Sequence, residues 1–151
     1  MTTITWGRVL DLFVLLKSEA EPQTATFGRL NPKMAYALGR NLRVIDQDLE
    51  DYRKMEAKFY DQRNLLIREY ATLNEEGEPV QLDGQFQFSD PERRAQYQVE
   101  FEKMADEYGP VALAKMEVEI DLTTVEEKYF PDLTLAQMRA LEPMYRQEMP
   151  R

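Results

Sequence analysis

The sequence predicts a mainly α fold with a minor β component, on three observations: an amphipathic pattern running almost unbroken through residues 32–73, an Asp-Gly dipeptide between two short alternating segments, and a strictly alternating segment at 116–122. The long helix is the strongest of these. After Pro32 no proline and only Gly39 interrupts it. Leu38, Leu42, Ile45, Leu49, Tyr52, Glu56, Phe59, Arg63, Leu66, Tyr70 and Leu73 follow a four-three spacing, so nine of eleven seam positions are apolar or aromatic, the pattern of a long packed helix or coiled coil. At about 1.5 Å per residue the rod would be roughly 60 Å long, more than a chain of 151 residues covers on every side.

The other elements follow in chain order. Residues 5–19 read as an amphipathic helix, with Trp6, Val9, Leu10, Phe13 and Leu16 at helical spacing and Thr3 or Thr5 as cap. A loop carrying Pro22 and Gly28 leads to Asn31-Pro32, a cap and first-turn proline for the long helix. Gly77 and Pro79 end it, and a β-hairpin is expected over 79–88 around Asp83-Gly84. Ser89-Asp90-Pro91-Glu92 opens a helix over 91–108, whose Tyr97, Phe101, Met104 and Tyr108 suit antiparallel packing on the C-terminal part of the long helix. A half-buried strand over 115–122 follows, with the 79–88 hairpin as its candidate partner. A last helix over 134–149 is interrupted or kinked near Pro143. The length is that of a single domain spanning residues 1–151.

Composition narrows the chemistry. The chain has neither Cys nor His, which excludes disulfides, thiolate metal sites and both Ser-His-Asp and Cys-His catalysis. No nucleotide-loop spacing surrounds its glycines, and no cofactor is implied. Residues 12–16 form the longest uncharged apolar run, far short of the roughly 20 a membrane-spanning helix needs, and the first residues lack the basic region of a signal peptide. A cytoplasmic location is the expectation.

The formal net charge is −9, unevenly placed. Residues 1–40 carry five Lys or Arg against three acids, whereas residues 69–127 carry sixteen acids against four basic residues. Such a field repels nucleic-acid backbones and attracts basic surfaces, so a protein partner with a basic surface is expected rather than nucleic acid.

Three groups of residues invite a functional reading. Glu117, Glu119 and Asp121 project to one side of the strand at 115–122 and could hold a divalent cation, but no further oxygen donors complete the set, and a solvated or protein-binding face is the plainer reading. Glu56 and Arg63 interrupt the seam two turns apart. In an antiparallel homodimer they would cross and pair; in a single chain they face solvent. Arg29, Lys33, Arg40 and Arg43 could meet an anion, or simply form an exposed basic face.

The strings Ala35-Tyr36-Ala37-Leu38-Gly39-Arg40-Asn41, Leu66-Ile67-Arg68-Glu69-Tyr70, Asn74-Glu75-Glu76-Gly77-Glu78-Pro79 and Met116-Glu117-Val118-Glu119-Ile120, with Leu133-Thr134-Leu135 and Leu141-Glu142, together resemble a group of small acidic proteins of tailed phages and prophages. The likeness runs from about residue 30 onward. It carries no catalytic residue across, and what it implies is a setting: a viral protein acting inside a bacterial host, or in the particle. The expectation is therefore a non-catalytic interaction protein that modulates a host or phage protein, such as a defence nuclease or a polymerase. The alternative is a virion structural or assembly component acting as a homo-oligomer, and a carboxylate-dependent enzyme stands third.

Overall fold

The computed structural model describes residues 1–146 as mainly helical with three two-stranded β elements. The chain divides into two compact units, one formed by residues 1–51 with 114–151 and the other by residues 52–113, the boundary falling inside the long helix.

The first unit opens with β1 (Thr2–Thr5), where threonines and an isoleucine favour extended backbone. β1 pairs antiparallel with β4 (Glu117–Ile120), Thr2 opposite Ile120 and Thr5 opposite Glu117. The strand expected at 115–122 is therefore present but shorter, and its partner is the N-terminus rather than the 79–88 hairpin. Ile120 and Leu122 are buried and Val118 half-buried, while Met116 remains exposed. Thr5 then caps α1 (Trp6–Ala20) by accepting from the Arg8 amide at 3.3 Å. Trp6, Val9, Leu12 and Leu16 form its buried stripe, whereas Leu10 and Phe13 are half-buried. Past α1, the Glu19 carboxylate accepts from the Thr26 amide and hydroxyl and from the Phe27 amide, latching the following loop to the helix.

Burial alone would raise the Glu19 pKa, but those hydrogen bonds outweigh it and hold the carboxyl below its ordinary value of 4.5. A group depressed in this way contributes stability above its unfolded pKa and loses it as pH falls through the folded value. The stability difference between the wild type and Glu19→Gln is expected to be constant near neutrality and to shrink below about pH 4.5, measured by thermal melting across pH. A constant gap down to about pH 3 would contradict the latch.

α2 (Pro32–Tyr70) begins as expected, with the Asn31 side chain accepting from the Lys33 amide at 2.9 Å, but it ends at Tyr70 rather than Leu73. Met34, Ala37, Leu38, Asn41, Ile45 and Leu49 bury the stripe that belongs to the first unit. Asn41 is fully buried and satisfied: its Nδ2 donates to the Thr123 carbonyl at 2.9 Å, and its Oδ1 accepts from the Thr123 amide at 2.8 Å. Arg40 extends the same clamp to Asp121, donating to its carbonyl at 2.9 Å and its carboxylate at 2.7 Å. Two adjacent residues of α2 thus tie down the chain leaving β4.

β5 (Val125–Glu126) pairs in parallel with β6 (Tyr145–Arg146). Between them lies α5 (Leu135–Leu141), opened by a reciprocal capping box in which Thr134 accepts from the Gln137 amide and Gln137 accepts from the Thr134 amide. The helix expected over 134–149 stops at Leu141. Pro143 sits in a 3-10 turn (Glu142–Met144), and the chain is extended by Tyr145; residues 147–149 lie outside the described residues. α1 packs on α5, with the Arg8 guanidinium donating to the Arg139 carbonyl and the Glu142 carboxylate.

In the second unit, β2 (Gln81–Leu82) and β3 (Gln85–Phe86) form the expected hairpin. Asp83 and Gly84 both have positive φ, 52° and 78°, as a tight primed turn demands. Asp90 caps α3 (Pro91–Tyr108) by accepting from the Arg93 amide at 2.8 Å. The Arg93 guanidinium reaches back to the Glu69 and Tyr70 carbonyls, satisfying the last turn of α2. Further along, Phe101 meets Phe59 at 6.2 Å between ring centroids, so α3 runs antiparallel to α2. α4 (Pro110–Lys115) follows, a turn of helix that the Gly109-Pro110 pair concealed in the sequence.

Gly109 is buried in an extended conformation open to any residue; space is what demands glycine here. A Cβ would stand 2.6 Å from the Ala105 carbonyl oxygen and 2.8 Å from its Cα. Gly109→Ala is expected to destabilise by about 1–3 kcal/mol in chemical denaturation, and an unchanged midpoint would show that the α3 terminus yields freely.

Candidate functional site: an acidic and aromatic face, and an apolar groove

The structure separates the residues singled out in the sequence. Glu117, Glu119 and Asp121 are exposed in the first unit, and Asp121 is committed to Arg40. Among the described residues no group of three or more Asp or Glu converges as a cation site would require. Of the basic residues on α2, Arg40 is thereby occupied, and Lys33 sits over the Tyr129 ring at 4.8 Å with its ammonium 3.4 Å from the hydroxyl. Arg29 and Arg43 are exposed.

Glu56 and Arg63 are half-buried in the second unit, in an aromatic setting. Burial, followed by the neighbouring Glu56 carboxylate, raises the Tyr52 pKa. The Arg63 guanidinium lies 4.8 Å from the Tyr60 ring centroid, and its Nε is buried without a hydrogen-bond partner among the described residues. The cation thus rests on one π-face, with its Nη2 donating to the Asn64 side-chain oxygen at 3.5 Å. Burial raises the Tyr97 pKa, and the charge of Arg63 partly offsets this.

α3 is the unusual element of this unit. None of its 18 residues is buried. Its inner row, Tyr97, Phe101, Met104 and Tyr108, is only half-buried, although Tyr97 stacks on Phe101 at 5.8 Å and Tyr108 meets Phe59 at 6.0 Å. Glu100, Glu102, Asp106 and Glu107 are exposed, and none pairs with a cation among the described residues. Val99, 63% exposed, shares the face of Glu102 and Asp106 at helical spacing. The second unit therefore presents an amphipathic helix whose aromatic side is incompletely covered and whose other side is acidic.

The first unit carries a cleft of about 780 Å³ lined by Phe130, Leu133, Leu135, Met138, Leu141 and Tyr145. Leu135 is 84% and Met138 55% exposed on its lip. Phe130 and Tyr145 meet edge to face at 6.3 Å, and the Tyr145 hydroxyl donates to Glu127. The sequence held one signal for this groove. Leu135, Ala136, Met138, Ala140 and Leu141 make α5 apolar nearly all round, which a helix at a surface sustains only where something covers it.

Among the described residues no helix is long and apolar enough to cross a membrane. Compared with family models, curated proteins and solved structures, the chain matches none. Fold and surfaces together define a mainly α protein whose first unit carries an open apolar groove and whose second unit carries a helix with a half-buried aromatic row and an acidic outer side.

Proposed function

We propose that this chain is a non-catalytic interaction protein that binds a basic surface on another protein and modulates it, through the acidic outer side of α3 and the incompletely covered aromatic row of the same unit, residues 52–113. The phage resemblance supplies the setting, in which the target is a host or phage protein such as a nuclease or polymerase. One observation supports the reading above the rest: α3 buries none of its residues, although its inner row is aromatic and its outer row acidic. Uncommitted carboxylates steer a basic partner and set its register, and an incompletely covered aromatic row on the same helix offers further contact at its edge. Catalysis would need carboxylates with raised pKa converging in an enclosed pocket, and the acids of α3 point to open solvent.

Affinity capture from host lysate with the tagged chain tests this. The expected result is a single protein retained in stoichiometric amount at low salt and released as salt rises, because exposed charges are screened over about 10 Å at 0.1 M. Retention of nothing, together with many copies of the chain in purified virions, would replace the modulator reading with an assembly role.

A further inference from the structure

The groove belongs to the first unit and the acidic side of α3 to the second, and the chemistry of the groove is self-matching. Its lip projects Leu135 and Met138 into solvent, while its floor leaves about 780 Å³ between Phe130, Leu133, Leu141 and Tyr145. The same patch therefore carries both an apolar knob and an unfilled apolar hole. The charges on its rim also come in both signs. Glu142 is occupied by Arg8 at 2.9 Å, while Asp132 and the Arg139 guanidinium have no ion-pair partner among the described residues. A patch that meets itself across a two-fold axis needs this composition, because each group must find its complement on an identical surface. A purely acidic groove would instead repel its own copy.

We infer that the groove is the interface of a homodimer, in which Leu135 and Met138 of each copy enter the cleft of the other and Arg139 of each copy meets Asp132 of its partner. Leu135, Met138 and Arg139 share one face of α5, so two such helices crossing about the axis bring all three into play at once. These dimer contacts use no residue of α3.

Sedimentation equilibrium of the full chain over a concentration series decides the matter, with circular dichroism checking that each variant is folded. The wild type is expected to dimerise, and Leu135→Asp to weaken the dimer at least about tenfold without unfolding the chain, since this side chain is already in solvent. Arg139→Asp and Asp132→Arg should each weaken it as well. Mixing those two single variants should restore a heterodimer, because both cross-pairs then become Arg with Asp, and the double variant should restore itself. A wild type that stays monomeric overturns the proposal, as does a dimer indifferent to Leu135→Asp. Titration of the monomer with a fluorescent peptide designed as a Lys-rich amphipathic helix then tells the two failures apart: binding lost with Leu135→Asp would assign the groove to a basic helix of another protein, also against the proposal. Capture of a basic partner by the α3 face is independent of every one of these outcomes.

Discussion

Asn41→Ala is expected to destabilise the protein by about 3 kcal/mol, a fall in melting temperature of roughly 10 °C. Asn41 is fully buried, and its amide satisfies both the N–H and the C=O of Thr123, at 2.8 and 2.9 Å. Truncation leaves both backbone groups buried without partners, at a cost of about 1–3 kcal/mol each, partly relieved where water can enter. Asn41→Leu separates this cause from simple loss of packing, since it refills the volume and restores no hydrogen bond. If the clamp is what matters, the Leu variant is as unstable as the Ala variant. Recovery of most of the stability by Leu would show that Asn41 acts through its bulk. The consequence reaches the groove, because residues 121–125 lead directly into β5, which pairs with the strand holding Tyr145.

Phe59→Ala is expected to cost about 3–5 kcal/mol in chemical denaturation. Phe59 is 3% exposed and meets three rings, Tyr60 at 5.3 Å, Phe101 at 6.2 Å and Tyr108 at 6.0 Å. Phe101 and Tyr108 belong to α3, and their contacts with Phe59 hold it against α2 together with the Arg93 hydrogen bonds to the Glu69 and Tyr70 carbonyls. Hydrogen exchange should therefore accelerate across residues 91–108 in the variant more than across α1. A loss below about 1 kcal/mol, or exchange rising evenly along the chain, would contradict a central place for Phe59.

Local chemistry was legible in the sequence wherever it acts over a few residues. Asn31-Pro32, Asp83-Gly84 and Asp90-Pro91 marked a helix start, a primed turn and a second helix start, and each stands where expected, because caps and turns are decided by the residues that form them. The antiparallel placement of α3 on α2 followed from matching aromatic spacing. The pairing of β4 was misread because strand partners are non-local: the threonines at 2–5 looked like a helix cap, and they serve as both strand and cap. Of the interruption or kink expected near Pro143, the interruption forms: the missing N–H of Pro143 helps to end α5 at Leu141 in a 3-10 turn.

The candidate sites were less legible. Spacing put Glu56 and Arg63 in the seam, but nothing in the pattern announced that the guanidinium would rest on Tyr60. The bidentate pairing of Asn41 with Thr123 spans 82 positions of sequence and left no local mark. The groove beside α5 was visible only as an excess of apolar residues on a short helix, since exposure depends on what the rest of the chain fails to cover.

On this reading the acidic outer side of α3 binds a basic partner. Titration of the captured partner into the wild type and into Glu102→Lys/Asp106→Lys tests it most directly, since both residues are exposed and engaged with no cation among the described residues. The account predicts that the double variant binds at least about tenfold more weakly at low salt and responds less steeply to added salt. Equal affinity and an identical salt response for the two proteins would contradict it.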